Sequence, residues 1–367
     1  MMQQTISING RLVGLGHPAY IIAEISGNHN GDLARAKRLV RIAAEAGADA
    51  VKLQTYTADS MTLNSDRPQF IVGPGTVWEG RRLYDLYAEA ATPYEWYSEL
   101  AGVAADADIS LFSTPFDIDA VRFLDCHNAP AYKIASFELR DLALVEAAAS
   151  TGRPVILSTG MGTLTEIEQA VAVAEAAGDG GIAVLRCNSA YPAAPGEMDL
   201  RTISDMQDRF RLPVGLSDHS LTNTAAVTAV ALGASLFEKH FMERRSDGGP
   251  DSSFSLEPDE FTHFVEQIRT AESALGQVRY GPSKSEEPSL EFRRSLWVVA
   301  DVAAGDRFTS DNLRAIRPAG GLTPALIEQV LGTIAQVDVD AGTALTSDLV
   351  AASIGETEHS VGTSAKH

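Results

Sequence analysis

Residues 19–56 read AYIIAEISGNHNGDLARAKRLVRIAAEAGADAVKLQTY. A short β-branched run (20–26) meets a polar turn, then an Ala-rich stretch of helical period, then Gly47, then a second short apolar run (50–56). This is one strand–helix–strand unit, and Gly47 suits the left-handed position that ends a helix. The rhythm recurs to about Gly276, with further strands expected over 109–116, 131–136, 154–160, 182–189, 213–219 and 235–241, and Gly233 ending another helix. Eight strands over about 250 residues, nearly continuous in apolar side chains as strands buried on both faces are, predict an α/β fold of the closed (β/α)8 TIM-barrel type.

The remaining sequence sets the limits of this domain. Around Gly281 the text turns to GPSKSEEPSLEFRR, rich in Pro, Ser and charge, and beyond it come short strands and glycine turns. The expected division is a barrel over 1–276, a linker over 277–294, a small β-rich module over 295–353 and a flexible tail over 354–367. One connection, 57–91, is too long for the barrel rhythm and carries Trp78, Tyr84 and Tyr87, with Trp96 nearby. An ordered lid or a partner contact is expected there.

The chain has 29 basic against 49 acidic residues, a net charge of −20, which repels a phosphate backbone and argues against nucleic-acid binding. No apolar run approaches the roughly 20 residues of a membrane span and the first residues lack a signal-peptide pattern, so a cytoplasmic, membrane-free protein is expected. Cys126 and Cys187 are too few for a disulfide framework and read as buried thiols.

In a barrel of this type the chemistry sits at the carboxyl ends of the strands. Those ends carry Glu24, Lys52 with Gln54, Thr114, Lys133 with Ser136 and Glu138, Ser158, Asn188 with Ser189, Ser217 to His219, and Glu238 to His240. Two lysines inside apolar strands imply an anion, with the hydroxyls of Thr114, Ser136, Ser158 and Ser189 completing a cradle for phosphate or carboxylate. The alternative for each lysine is an internal pair with Glu24 or Glu138. His219 and His240 end neighbouring strands and form a half-site for a divalent metal, with Glu238 and Asp218 available to orient them. His29 either shapes the pocket or caps the next helix. The turn TGMGTLTE (159–166) leads into a helix whose free N–H groups suit an anion, a weak motif by itself. No GxGxxG or GxxxxGKS pattern is present, so no dinucleotide or P-loop site is expected.

The ordered segments IIAEISGNHNGD, LFSTPFD, AYKIASFEL, ILSTGM, NSAYPA, GLSDHS and EKHF resemble the sialic acid (nonulosonic acid) synthase family. YKIASFEL, WEGRRLYDLYAEAATPYEW, NSAYPA and GGPDSSFSLEPDEF are most similar to its pseudaminic acid branch, whereas the neuraminate branch typically carries KxGSGE where this chain has KIASFE. The resemblance implies a barrel followed by an antifreeze-like (SAF, β-clip) module. It implies condensation of phosphoenolpyruvate with an amino-sugar aldehyde, with N-acetylneuraminate or legionaminate synthesis as alternatives. It places phosphoenolpyruvate on Lys52, Thr114, Lys133, Ser136, Ser158, Ser189 and Ser217, and the sugar on Gln54, Tyr191, Asp251 and Arg317. Glu24 and Glu138 become the catalytic carboxylates, and His219 and His240 the ligands of Mn2+ or Mg2+. Arg317 is expected to reach a partner's barrel in a domain-swapped homodimer. A noncatalytic carbohydrate- or ice-binding role is suggested only by the antifreeze-like module.

Overall fold

The computed structural model describes residues 5–351, so the tail expected over 354–367 lies outside the described residues. Eight parallel strands close a barrel: β1 Tyr20–Glu24, β2 Ala50–Thr55, β3 Ser110–Pro115, β4 Tyr132–Ile134, β5 Val155–Ser158, β6 Ile182–Cys187, β7 Val214–Asp218 and β8 Leu236–His240. Each pairs with the next, and β8 returns to β1. The eight strands and the closed parallel sheet are those the sequence predicts. Both helix-ending glycines take positive φ, +89° at Gly47 and +95° at Gly233.

The strand period of two splits the core into two layers. Ile21, Ala23, Val51, Leu53, Leu111, Ile134, Leu157, Val184 and Leu216 point outward against the helices. Tyr20, Ile22, Ala50, Phe112, Ala131, Ile156, Leu185 and Leu236 point inward and fill the lower barrel. An N-terminal hairpin, Ile6–Ile8 paired with Arg11–Val13, adds Ile6, Ile8 and Val13 to this inner cluster and closes the amino end. Inward-facing position 215 is a glycine, since any Cβ there would lie 2.3 Å from the Leu236 carbonyl oxygen and 2.6 Å from a Leu185 methyl.

Continuing each inward row toward the carboxyl end changes its chemistry. Tyr20 and Ile22 lead to Glu24, Ala50 to Lys52 and Gln54, Phe112 to Thr114, Ala131 to Lys133, Ile156 to Ser158, Leu185 to Cys187, and Leu236 to Glu238 and His240. Register places Glu24 beside Lys52 on one side and beside His240 on the other.

Alternation also removes two residues from that interior. Asp218 and Lys239 face the helices, where the Lys239 ammonium donates to the Asp218 carboxylate at 2.8 Å and to the Ser220 carbonyl, 5.6 Å from the Phe264 ring centroid. Asp218 therefore does not orient the histidine pair.

The chain divides into two units, one up to Gly276 and one from Gln277. The second contains a short 3-10 helix, Glu287–Phe292, and an antiparallel pair, β9 Ser295–Val298 with β10 Leu313–Ile316. Its own core gathers Leu296, Val298, Val302, Phe308, Leu313, Val330 and Leu345.

The Asp218–Lys239 pair makes a stability prediction. Lys239→Met leaves a buried carboxylate without its cation and should cost about 3–5 kcal/mol, whereas adding Asp218→Asn should recover part of that loss. Urea unfolding of the two variants and the wild type checks this; equal losses in single and double variants would contradict the coupling.

Candidate active site

The strand ends and the long loop after β2 enclose a cavity of about 350 Å3. Its floor is a buried charge cluster. The Lys52 ammonium lies 2.5 Å from Glu24 and 3.7 Å from Glu238, and donates to Thr114 Oγ1 at 3.0 Å. Lys133 donates to Ser158 Oγ at 2.5 Å, and its nearest carboxylate, Glu238, is 3.8 Å away. Gln54 donates to Glu24 Oε1, and Ser217 to Glu238 Oε1. The internal pair is thus realised for Lys52 with Glu24, while among the described residues no carboxylate is in hydrogen-bond contact with Lys133.

This packing drives the carboxyls apart. Burial, reinforced by Glu238, pushes Glu24 up to about 7 despite Lys52. Burial opposes ionisation of Glu238 as well, but Lys133 and Lys52 together outweigh it and hold that group below its usual range. Burial also lowers Lys133, whose ammonium gains less from its surroundings than Lys52 does. Two carboxyls with divergent proton affinities beside two cations are an arrangement suited to acid–base chemistry on an anion.

Above the floor lie the imidazoles of His219 and His240, with ring centroids 5.3 Å apart. His219 Nδ1–H donates to the Asn188 carbonyl at 2.8 Å, and His240 Nδ1 lies 3.3 Å from Ser26 Oγ. Neither Nε2 has a hydrogen-bond partner among the described residues, and both rings line the cavity. Among the described residues no His, Cys, Asp or Glu joins them to complete a set of three. Two nitrogen donors with their outer nitrogens engaged fit a divalent cation whose other positions stay open, as catalytic metal sites do. Burial, with His219 and the lysines nearby, holds His240 far below its ordinary range, so this imidazole is neutral and available as a donor.

An aromatic rim covers the pair. Tyr191 lies 4.2 Å from His219 between ring centroids, Phe254 4.9 Å from His240, and Trp78 5.4 Å from Tyr191. Trp78 Nε1–H donates to the Pro250 carbonyl at 2.7 Å, so the segment 57–91 is an ordered part of the pocket. That segment also supplies Met61, Val72, Leu83, Leu86, Tyr87 and Ala90 to the lining. Asp251 lines the same space, as does Glu138, which burial pushes up to about 7 and whose Oε2 has no hydrogen-bond partner among the described residues.

Ser136 lines the cavity, and its Oγ accepts from the Gly160 N–H at 3.1 Å. A Cβ on Gly160 would lie 2.3 Å from Ser189 Oγ and 2.7 Å from Ser136 Oγ, so glycine is what allows these hydroxyls to converge. Ser189 stands just behind the lining, 3.6 Å from Cys187 Sγ.

Other expectations take different places. His29 is buried under the long loop, bonded to Thr92 and edge-on to Trp96, and neither lines the cavity nor caps the next helix, whose cap is Asp32. The helix after TGMGTLTE is closed by a capping box in which Glu166 returns to Thr163, so its first turn already holds a carboxylate. Cys126 is exposed near a helix end, correcting its reading as a buried thiol, whereas Cys187 is buried and lines the cavity. Arg317 directly follows β10 in the second unit and is exposed. Tyr56 and Phe116 also line the cavity; their signal, aromatics just past strand ends, is shared with ordinary core packing.

Comparison with known proteins shows the family of the chain. The NeuB family model matches residues 39–280, and a SAF domain model matches residues 293–351. A pseudaminic acid synthase of Campylobacter jejuni is 42% identical over 326 residues, 89% of this chain and 95% of that protein. A pseudaminic acid synthase of Helicobacter pylori is 42% identical over 333 residues, 90% of this chain and 97% of that protein. Among solved structures, an N-acetylneuraminic acid synthetase from Leptospira borgpetersenii superposes with a TM-score of 0.70 at 31% identity, covering 80% of this chain and 97% of that one. The family model covers more than half of the chain and the two synthases align with about nine-tenths of it: the chain belongs to the NeuB family and carries a C-terminal SAF domain.

Proposed function

We propose that this chain is a pseudaminic acid synthase, condensing phosphoenolpyruvate with 2,4-diacetamido-2,4,6-trideoxy-altrose and water to give pseudaminic acid and phosphate. The observation that carries the reading is the stacking of a two-lysine floor under a two-histidine rim in one cavity. Lys52 and Lys133, with Thr114, Ser136, Ser158, Ser189 and Ser217 around them, receive the carboxylate and phosphate of phosphoenolpyruvate. Gln54, Tyr191 and Asp251 face the sugar. The apolar side chains of the long loop suit a sugar with a methyl group and acetyl groups where other sugars carry hydroxyls.

His219 and His240 hold a divalent cation, Mn2+ or Mg2+, which when bound supplies Lewis acidity toward the aldehyde oxygen. C3 of the enol forms the new bond to the aldehyde carbon, and positive charge develops at C2. Water adds to C2, and the tetrahedral intermediate expels phosphate by breaking its C–O bond. Glu238, held ionised, faces the developing positive charge, while Glu24 and Glu138 titrate near neutrality and serve as proton carriers. The SAF domain of a homodimeric partner delivers Arg317, whose planar fork suits sugar hydroxyl and acyl oxygens.

Phosphate release tests the function. The purified chain should release phosphate from phosphoenolpyruvate only with the altrose-configured diacetamido sugar and Mn2+. N-acetylmannosamine or the mannose-configured diacetamido sugar should be poor substitutes, EDTA should stop turnover, and His219→Ala or His240→Ala should abolish it. Preference for N-acetylmannosamine or the mannose-configured sugar would instead assign neuraminate or legionaminate synthesis, and full turnover in EDTA would overturn the metal role.

Glu138 gives a pH prediction. Its folded carboxyl titrates at about 7 against an ordinary 4.5, so the folded state retains a proton that the unfolded state has lost. Stability therefore falls as pH rises across that window. Glu138→Gln should be more stable than wild type at pH 8 by about 1–3 kcal/mol and indistinguishable at pH 4.5. Urea unfolding at the two pH values checks this; a pH-independent difference would refute it.

Mixing two inactive variants, Arg317→Ala and Lys133→Met, under conditions of subunit exchange should recover up to about one quarter of wild-type activity, half the dimers being mixed with one complete site each. Demonstrated exchange without recovery would mean that Arg317 does not act across subunits.

A further inference from the structure

Ser26 follows β1 by two positions and is fully buried. Its φ is +45°, in the left-handed region where a side chain is a penalty and glycine is free of strain. The next residue, Gly27, meets a different demand: a Cβ there would lie 2.9 Å from the Ala90 methyl. The turn thus has glycine where a neighbour forces it and keeps a serine where the backbone favours glycine. Strain retained at a buried position calls for something that the side chain does.

The hydroxyl has two partners. His240 Nδ1 is 3.3 Å away, and the Asp251 carboxyl, which burial pushes above its usual range, is drawn back down by a hydrogen bond from the Ser26 side chain. A carboxylate only accepts, so the Ser26 O–H donates to Asp251 and its oxygen is left to accept from His240 Nδ1–H. The surrounding turn is braced for the same task. Asn28 Nδ2 donates to the Phe241 carbonyl at 3.0 Å and to Ser255 Oγ at 2.8 Å, and Ser255 donates to the Asp251 carbonyl at 2.7 Å. The end of β8 and the loop bearing Asp251 are both tied to residues 26–28.

We propose that Ser26 is a positioning residue that relays the Asp251 carboxylate to His240, fixing the imidazole with its proton on Nδ1 and its Nε2 lone pair toward the cavity. His219 reaches the same tautomer by donating Nδ1–H to the Asn188 carbonyl. The role in metal binding rests on the reading of the two histidines as the cation site; the tautomer does not.

The test uses the full chain with 15N-labelled histidine, His240 being assigned by the signal lost in His240→Ala. In the metal-free wild type, two-bond 1H–15N correlations should place the His240 proton on Nδ1. Ser26→Gly should lose that single tautomer and bind Mn2+ about 10–100-fold more weakly by electron paramagnetic resonance titration. Its unfolding temperature without metal should be no lower than wild type, because glycine takes this backbone without strain. Ser26→Ala, which lacks the hydroxyl but keeps the strain, should show the same loss of Mn2+ affinity. A wild-type proton on Nε2, or unchanged tautomer and Mn2+ affinity in Ser26→Gly, overturns the proposal. A lower unfolding temperature with an unchanged tautomer makes Ser26 merely structural and overturns it too. A wild type that takes up no Mn2+ but loses its Nδ1–H tautomer on Ser26→Gly upholds the positioning role and refutes the metal reading alone.

Discussion

Two ammonium groups and two carboxylates share the upper interior of a closed barrel, and their mutual compensation is the constraint from which the site follows. Lys52 sits between Glu24 and Glu238, and Lys133 has Glu238 alone at longer range. Removing any one of these four would strand a charge in a place where water cannot screen it. Because the groups are not evenly matched, Glu24 is lifted and Glu238 depressed, so one ion cluster holds both a carboxyl pushed up to about 7 and one kept ionised. A cluster built only for stability has no need of this asymmetry, and an apolar core of similar volume would serve that purpose at least as well.

Much of this was legible in the sequence because barrel strands impose a simple rule: polar residues at their carboxyl ends share one space. Lys52, Lys133, Glu24, Glu238, Ser158, His219 and His240 follow that rule, and the family motifs carry the same residues. What the rule omits is facing. Ser217 and Asp218 are neighbours, yet only the first points inward; Lys239 separates two cavity residues and turns to the helices. The period of two predicts this once the register is known, and register comes from pairing across strands.

Loops were less legible for a different reason. Trp78 enters the site through a hydrogen bond to Pro250, and His29 leaves it for Thr92 and Trp96. Both outcomes depend on contacts between residues far apart in the chain, which local pattern does not encode. Ser26 is the extreme case: its importance lies in a left-handed backbone angle that an ordinary serine in an ordinary turn gives no reason to expect.

The hairpin that closes the amino end of the barrel has a consequence for traffic. With Ile6, Ile8 and Val13 packed into the inner cluster, the barrel below the charged floor is filled with apolar side chains. Anything held by Lys52 and Lys133 must arrive past Trp78 and Tyr191, ahead of whatever then occupies the rim. A dead-end chamber of this kind behaves as a stack, filled from the bottom and emptied from the top, so the topology alone sets an order of loading that no residue in the site has to enforce.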